Sequence, residues 1–395
     1  MTDTTTTNNE GTSRDTGPRK NNKFHRHSSN RQVTPRPSTP YDPGSMGKRE
    51  TDHIPPLKDG DIRVIHLGGV EEIGRNMSLV EYKDTIVVVD CGVQFTETNT
   101  PGIDFILPNT RYLEEHKHKI KGVLVTHGHL DHIGAFPYIM PRIGNPPIFA
   151  RLFTSLMIRK RQEEFPHLPA ITMNIIEKGD SITLGDLKIK FFGVTHAIPD
   201  SMGILIETPY GDIVHHGTLK LNNNNSTPTQ DEEERYKLFE NRNTLLLMAD
   251  STSAENPGYS ISDAEIAESI DSQMKDIKTR LTVMTFSSQI ERLLPVIASA
   301  RKYGRKIAVE SKSILNSLII ADAMKLVTLD KETFVNIEDI DSYKDEEVLV
   351  LLSGEIGEEF NSLVRIAAEQ HKYLRICERD TILMAAVEIM GLRRP

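Results

Sequence analysis

The chain has 395 residues and a formal net charge of −9 at pH 7, and this length is enough for two domains with full hydrophobic cores. The acidic balance excludes a protein that binds nucleic acid by bulk positive charge, although a local basic groove remains compatible with RNA binding. No apolar run approaches the roughly 18 residues of a membrane span, and the first residues lack a signal-peptide pattern, so we expect a cytoplasmic protein that does not enter a membrane.

Residues 1–56 are rich in Thr, Asn, Ser, Pro, Arg and Lys and contain few large apolar side chains. Such a composition cannot bury enough surface to offset the entropy lost on ordering, so we expect a disordered basic tail. Its local positive charge comes from Arg14, Arg19, Lys20, Lys23, Arg26, Arg31 and Arg36. A tether for RNA or ribosomes and a solubilising tail are both compatible with this composition.

From residue 61 the pattern changes to apolar runs separated by turn residues, which predicts short strands. The predicted elements are strands over residues 63–67, 77–82, 85–90, 122–125 and 146–152 and a helix over residues 155–164. Two hairpins follow, over residues 181–192 and 203–216. Cys91 and Cys377 lie in apolar runs and are expected to be buried thiols that form no disulfide.

The stretch 126–132, Thr-His-Gly-His-Leu-Asp-His, contains three histidines and one aspartate within six positions. It follows a predicted buried strand and precedes a predicted helix start. The ligands therefore lie on a strand-to-helix loop at the carboxyl edge of a sheet, where α/β proteins usually place their chemistry. Solvated loop histidines are the alternative, but four potential ligands at this spacing favour a metal site.

The spacing within this stretch suggests two ions. His127 and His129 share parity on an extended loop, so both imidazoles can face one ion. Asp131 and His132 enter the first helical turn and can face a second ion beside it. Hydrolases with two metals hold them about 3.5–4 Å apart around one water. We therefore expect a hydrolytic metal centre.

The second half of the chain alternates apolar runs with helical patterns. Ser262 and Glu265 form a predicted capping box, and the apolar residues behind it recur at helical spacing. The predicted strands are residues 245–248, 282–286, 305–310, 347–352 and 381–387, and the predicted helices are residues 289–303, 313–327 and 359–371. This alternation predicts a doubly wound βαβ domain.

Several motifs together resemble the ribonuclease J family of the metallo-β-lactamase superfamily. The stretch 127–132 resembles the superfamily's His-x-His-x-Asp-His signature. Four further stretches resemble the family in its order: Leu-Gly-Gly-Val-Glu-Glu-Ile-Gly-Arg-Asn-Met (67–77), Val-Val-Val-Asp-Cys-Gly (87–92), His-Ala-Ile-Pro-Asp (196–200) and Ala-Asp-Ser-Thr-Ser-Ala-Glu (249–255). The resemblance covers nearly all of the chain from about residue 62.

The resemblance implies an α/β fold with a metallo-β-lactamase αββα sandwich, incomplete at its C-terminal end, and an inserted doubly wound β-CASP domain. The corresponding divisions are the tail (1–56), the lactamase domain (57–243) and a partial β-CASP domain (244–395). It also implies that His196 completes a three-histidine zinc site with His127 and His129, leaving one position open for water.

For the second metal the resemblance retains Asp131 and His132, as ligands and as catalytic residues. Asp90 resembles a carboxylate that orients the metal histidines from behind, and an ordinary strand-end cap is the alternative. Positions that the family implies for substrate contact are Asp250, Ser287, Ser288, Lys312 and Ser313. Lys312 keeps a cation where the family has an arginine but loses the guanidinium fork, and Glu355 places negative charge where a phosphate would lie.

Two departures from the family lower the expected metal content. The family has a His-Thr-Gly-Asp-Phe-Lys segment whose aspartate bridges the metals, whereas Thr218 stands at that position here. A neutral hydroxyl cannot hold two cations together, and His216 starts roughly 6–7 Å away along the strand. The chain ends at Pro395 within the β-CASP portion, and the family's later histidines and returning strands have no counterpart. We expect one well-held zinc and a weak or empty second site.

Three functions follow from this comparison. The resemblance favours RNA phosphodiester hydrolysis, as a 5′-to-3′ exonuclease, an endonuclease or both, in RNA processing and decay. The second hypothesis is a catalytically weakened paralogue that binds or regulates an active ribonuclease J subunit, within a homo- or hetero-oligomer. A one-metal hydrolase acting on a small ester is the third, although the β-CASP-like half argues against it.

Overall fold

The fold is described from a computed structural model, which covers residues 54–95, 102–221, 229–258, 261–354 and 365–385. Most of the predicted basic tail and Glu355 therefore lie outside the described residues. Residues 56–395 form one compact unit. No helix in the described ranges is both long enough and apolar enough to cross a membrane.

Short strands dominate the first part of this unit. In chain order they are β1 (Ile62–Gly68), β2 (Met77–Tyr82), β3 (Thr85–Val89), β4 (Gln94–Phe95), β5 (Phe105–Ile106), β6 (Ile120–Leu124), β7 (Ile148–Ala150), β8 (Met173–Ile175), β9 (Ser181–Leu184), β10 (Leu187–Gly193), β11 (Met202–Thr208), β12 (Gly211–His215) and β13 (Thr244–Met248). The α-helices between them are α1 (Arg111–Glu115), α2 (Leu130–Ile133), α3 (Phe136–Ile139), α4 (Leu152–Gln162) and α5 (Gln230–Tyr236), with 3₁₀ turns at Lys117–Lys119 and Lys237–Phe239.

The first sheet has six strands in the order β1-β2-β3-β6-β7-β8. Its first three strands pair antiparallel, and β3, β6, β7 and β8 run parallel. Every residue of β2 and β3 is buried, because alternate side chains enter two different apolar clusters, one on each face of the sheet. Both faces are thus covered, which leaves the strand ends as the accessible positions.

The second sheet has five strands in the order β13-β12-β11-β10-β9. Its inward side chains, such as Ile189 and Ile204, share a cluster with Val87 and Val89 of the first sheet. The helical residues Ile133 and Phe136 pack on the outer face of the first sheet, and Leu238 and Phe239 pack near the outer face of the second. These layers confirm the predicted αββα sandwich.

The strand that follows the predicted domain boundary pairs with the first part of the chain. The sequence division at residue 244 assigns β13 to the second half, but β13 pairs in parallel with β12, with Ile213 opposite Leu246. The backbone hydrogen bonds therefore place this strand in the lactamase-like sheet. At its sheet edge Leu245, Leu246 and Leu247 are 50%, 37% and 59% exposed.

The second half contains a parallel sheet in the order β16-β15-β17-β14-β18. Its strands are β14 (Leu281–Thr285), β15 (Lys306–Val309), β16 (Phe334–Val335), β17 (Val348–Ser353) and β18 (Thr381–Met384). The helices are α6 (Asp263–Asp276), α7 (Ile290–Lys302) and α8 (Lys312–Ala323), with 3₁₀ turns at Ile337–Ser342 and Asp345–Glu347. The capping box of Ser262 and Glu265 is confirmed, as is the βαβ alternation. Of the predicted helix over residues 359–371, residues 359–364 are outside the described part and residues 365–367 are helical.

The two halves of this unit share apolar side chains. Phe153 at the start of α4 and Ile198 after β10 belong to the same cluster as Leu281 and Val283 of β14. The Asp200 carboxylate accepts a hydrogen bond from the Phe153 backbone N–H at 2.8 Å and pairs with Arg151 at 3.0 Å. The loop that carries His196 is therefore held between both halves.

The two cysteines differ. Cys91 is fully buried between β3 and the loop that follows, and burial raises the pKa of its thiol. Cys377 is exposed, so its predicted burial is wrong. It lies in an irregular loop before β18, where Asp380 is held by Arg280 at 3.1 Å. That loop leaves its small side chain outside the sheet.

The segment after β3 forms backbone hydrogen bonds with the start of α2. Cys91 N–H donates to the His132 carbonyl at 2.8 Å, and Val93 N–H donates to the Leu130 carbonyl at 3.2 Å. Between them, a Cβ placed on Gly92 would overlap the carbonyl oxygen of Asp131. Glycine is required here because the two backbones touch.

We predict that Gly92→Ala lowers the free energy of unfolding by about 1–3 kcal/mol, the usual cost of overpacking a close-packed interior. Urea unfolding of the metal-free protein measures this change. Gly193→Ala is the matched control, because its Cβ would meet its nearest neighbour at an ordinary 3.5 Å, and it should change stability by less than about 0.5 kcal/mol. Equal stability of the two variants would contradict the assigned contact.

Candidate metal centre

The loop between β6 and α2 is fixed by the carboxylate of Asp90. Asp90 follows β3 and adopts a left-handed backbone with φ 62°, and its N–H donates to the Leu124 carbonyl at 2.9 Å. Its side chain accepts a hydrogen bond from the Thr126 backbone N–H at 2.8 Å. The adjacent parallel strands β3 and β6 thus end in a shared polar cluster at the carboxyl edge of the sheet.

Three histidines converge on one point above this edge. The Nδ1 atom of His129 lies 3.0 Å from Nε2 of His127 and 3.1 Å from Nε2 of His196. Their ligand atoms all lie within 4.8 Å of one another, and the rings meet edge to face. The predicted grouping of these three histidines is therefore present in the structure.

The neutral state of these three histidines is the state that binds a metal ion. Burial lowers the pKa of His127 and that of His196 well below the ordinary value, and burial lowers the pKa of His129 to about 4. All three imidazoles are then neutral at pH 7 and have a lone pair to donate. Three neutral histidines with room for a fourth ligand fit the zinc arrangement of hydrolytic sites.

Asp131 and His132 form a second group beside the first. Oδ2 of Asp131 lies 3.3 Å from Nε2 of His132, and Oγ1 of Thr218 lies 3.3 Å from the same nitrogen. Thr218 thus lies at the position expected for the missing carboxylate and presents a neutral oxygen there. This group has two strong metal donors, against three in the first.

The charge on His132 distinguishes it from the other histidines. Burial lowers its pKa, but the negative charges of Asp131 and Asp90 outweigh burial and raise it to about 10. Burial raises the pKa of Asp131, and the positive charge of His132 outweighs that effect, leaving it below its ordinary value. A cation at this second group must therefore displace a proton from His132.

Asn76 contributes to the second group, although the sequence analysis assigned it no role. Its Nδ2 donates to Asp131 Oδ2 and to the Asp131 carbonyl, each at 3.1 Å, and lies 3.1 Å from Nε2 of His132. Its backbone N–H also donates to the Asp131 carbonyl at 3.0 Å. A polar amide at the end of a glycine-rich loop directly before the buried strand β2 was the available signal.

His216 does not reach the second group. Its Nε2 lies 3.0 Å from the Tyr236 hydroxyl, and its ring stacks on Tyr236 and meets Phe192 edge to face. These contacts hold the His216 ring on the far side of β12, in agreement with the expectation that His216 does not replace the missing carboxylate.

The five residues predicted to contact substrate lie at strand ends. Asp250 follows β13 and accepts a hydrogen bond from the Thr252 backbone N–H at 2.8 Å. The other four lie at the carboxyl edge of the parallel sheet, after β14 or at the start of α8: Ser287, Ser288, Lys312 and Ser313. Their substrate role remains a prediction.

A polar cavity of about 180 Å³ opens beside His196. Its lining includes Arg151, Lys178, Thr195, Arg235 and Glu291, which come from both halves of the unit. Arg235 donates to Thr195 Oγ1 at 2.7 Å, while its buried Nε has no hydrogen-bond partner within the part of the chain that the structure describes. Burial raises the pKa of Glu291 to about 7, with Asp263 adding to the rise and Lys220 and Arg235 opposing it.

Known proteins resemble the chain over both halves. A family model described as "Ribonuclease J, beta-CASP domain" matches residues 278–394, and one described as "Beta-lactamase superfamily domain" matches residues 85–240. Ribonuclease J of Thermus thermophilus is 37% identical over 339 residues, which are 84% of this chain and 58% of that protein. Ribonuclease J2 of Bacillus subtilis is 33% identical over 350 residues, which are 88% of this chain and 61% of that protein. The chain thus spans about three fifths of these relatives.

One solved structure supports the fold alone. The crystal structure of a protein of unknown function from Enterococcus faecalis V583 matches with a TM-score of 0.60 at 17% sequence identity, over 82% of this chain and 88% of that one. Together with the family models, this similarity agrees with a metallo-β-lactamase fold that carries a β-CASP domain.

We predict that zinc stabilises the fold through the three histidines. A ligand at 100 times its Kd adds about 2.7 kcal/mol to the free energy of unfolding, so saturating zinc should raise Tm by several degrees and a chelator should reverse the rise. His196→Ala should remove most of this shift, and the exposed His118→Ala is the control that should keep it. A shift of equal size in His196→Ala would show that zinc binds elsewhere.

We also predict a pH effect from Glu291. Because its folded pKa lies above the ordinary value of 4.5, the unfolded chain ionises first, and stability falls as pH rises from about 4.5 to 7. Glu291→Gln cannot ionise, so in metal-free protein its Tm advantage over wild type should be larger at pH 8 than at pH 5. The exposed Glu268→Gln is the control. A pH-independent difference would contradict the burial of this carboxyl.

Proposed function

The chain belongs to the ribonuclease J family, and we propose that it is a metal-dependent hydrolase of RNA phosphodiester bonds that holds one zinc ion firmly and a second one weakly. The convergence of His127, His129 and His196 carries this proposal. The substrate class is proposed from the family, because the match of residues 278–394 to a β-CASP model favours RNA over a small ester. The cleavage is 5′-to-3′ exonucleolytic, endonucleolytic or both, in the cytoplasm.

The donor set defines what each residue contributes. A zinc ion held by the three histidines would supply a Lewis acid and would lower the pKa of the attacking water. The Asp131 carboxylate lies beside that position and can accept a proton from the attacking water. Arg235 and Lys178 line the cavity next to His196 and can hold the nucleotide that flanks the scissile phosphate by charge.

Thr218 limits the proposed activity. A carboxylate at this position would lower the charge of the second group by one unit and attract a second cation, whereas its hydroxyl provides a neutral oxygen 3.3 Å from His132. The protonated state of His132 further disfavours a cation there. Cleavage by this chain alone should therefore be slow.

This limitation favours a second candidate function, in which the chain is a binding or regulatory subunit of an active ribonuclease J. The exposed leucines of β13 support a partner of this kind, because an apolar sheet edge in the described structure is a site for strand pairing. A homo-oligomer or a hetero-oligomer with a ribonuclease J-type subunit would cover it.

Metal content and cleavage of 5′-monophosphorylated RNA, measured on the same purified samples, test the proposal. Wild type should contain one zinc and cleave slowly, and His127→Ala should lose both. Thr218→Asp should gain a second ion and cleave at least about tenfold faster, since one such charge is worth several kcal/mol in the transition state. Zinc without cleavage in either wild type or Thr218→Asp would favour the regulatory subunit, and rapid cleavage by wild type with two ions would contradict the weak second group.

A further inference from the structure

The hydroxyl of Thr126 connects both groups of histidines to one carboxylate. Its Oγ1 lies 2.9 Å from Oδ2 and 3.1 Å from Oδ1 of Asp90, and 3.0 Å from Nδ1 of His127. Nδ1 of His132 lies 2.8 Å from the same Oδ2. Thr126 and Asp90 are each only 1% exposed, so water does not replace these contacts.

The donors and acceptors of this cluster can be assigned. An ionised carboxylate only accepts, so the single hydroxyl proton of Thr126 points to Asp90. Oγ1 is then an acceptor toward His127, and the proton between them belongs to Nδ1 of the ring. His127 therefore carries its proton on Nδ1 and presents an unprotonated Nε2 to His129, 3.0 Å away.

His132 contacts the Asp90 carboxylate directly. Its Nδ1 donates to Asp90, which directs Nε2 toward Asp131 and Thr218. Asp90 thus orients one histidine in each group, His132 by a direct hydrogen bond and His127 through the Thr126 hydroxyl. The left-handed backbone of Asp90 is a strained conformation for a residue with a side chain, and the donors that converge on its carboxylate maintain it.

We propose that Thr126 is a positioning residue that fixes the Nδ1–H tautomer of His127, so that the first metal group and the second depend on a single buried carboxylate. This inference rests on the proposed function only in taking the three histidines as zinc ligands. It assigns to Thr126 an effect on zinc affinity at the first group, although Thr126 is not itself one of the three proposed zinc ligands.

The test compares Thr126→Val, which keeps the shape and removes the hydroxyl, with Thr126→Ser, which keeps the hydroxyl. Loss of such a supporting bond typically costs 10–100-fold in metal affinity, so Thr126→Val should bind zinc at least about tenfold more weakly in competition with a chelator. Thr126→Ser should remain close to wild type. The control is Thr154→Val, a fully buried threonine whose hydroxyl has no hydrogen-bond partner among the described residues, and its zinc affinity should not change.

A second measurement does not require any variant at Thr126 to fold. Long-range ¹⁵N–¹H NMR spectra of the zinc-free wild-type protein with labelled histidine report which ring nitrogen carries the proton, and His127→Ala assigns the signals of that ring. We expect His127 to be protonated on Nδ1. Protonation on Nε2, or unchanged zinc affinity in a folded Thr126→Val variant, would overturn the inference.

These outcomes are separate from those of the RNA experiment. Weaker zinc binding in Thr126→Val together with no RNA cleavage by any variant supports the role of Thr126 and contradicts the nuclease. RNA cleavage by wild type with unchanged zinc affinity in Thr126→Val supports the nuclease and contradicts the role of Thr126. Absence of zinc binding by the wild-type protein contradicts both.

Discussion

The buried carboxylate of Asp90 is the constraint on which the rest of the site depends. An unpaired carboxylate in a protein interior costs several kcal/mol, and here the Thr126 backbone and hydroxyl and the His132 ring offset that cost. These bonds are possible because parallel pairing of β3 with β6 aligns the ends of the two strands. The geometry of the histidine loop follows from this alignment, and Gly92 allows the segment after Asp90 to lie against the loop.

The two groups of possible ligands differ in electrostatics more than in distance. The first consists of three imidazoles that burial keeps neutral, which leaves their lone pairs available. The second group pairs one anion with a protonated histidine, so its charges already balance without a metal. The hydroxyl of Thr218 adds no charge to either group. This difference gives a physical reason why one fold can hold one ion tightly and its neighbour weakly.

Sequence periodicity predicted most strands because both sheets are buried and their side chains alternate between apolar clusters. The histidine motif predicted that the rings of His127 and His129 converge, since their short spacing on one loop leaves few arrangements of the two side chains. Asn76 and Thr126 were assigned no role, because each acts through contacts with residues distant in the chain, Asp131 and Asp90 respectively. The placement of β13 in the second sheet depends on a parallel pairing with β12, and the leucines that form it are equally compatible with a buried strand of the second half.

The position of His196 between the two halves has a consequence for local unfolding. Its loop is attached to the second half through Ile198 and to α4 through Asp200, whereas His127 and His129 lie on the loop that follows β6 of the first sheet. An ion held by all three would therefore join the two loops, and we expect their amide hydrogens to exchange together when the ion is bound. Release of the ion would let each loop open separately, so the centre would set the local stability of both loops as well as their chemistry.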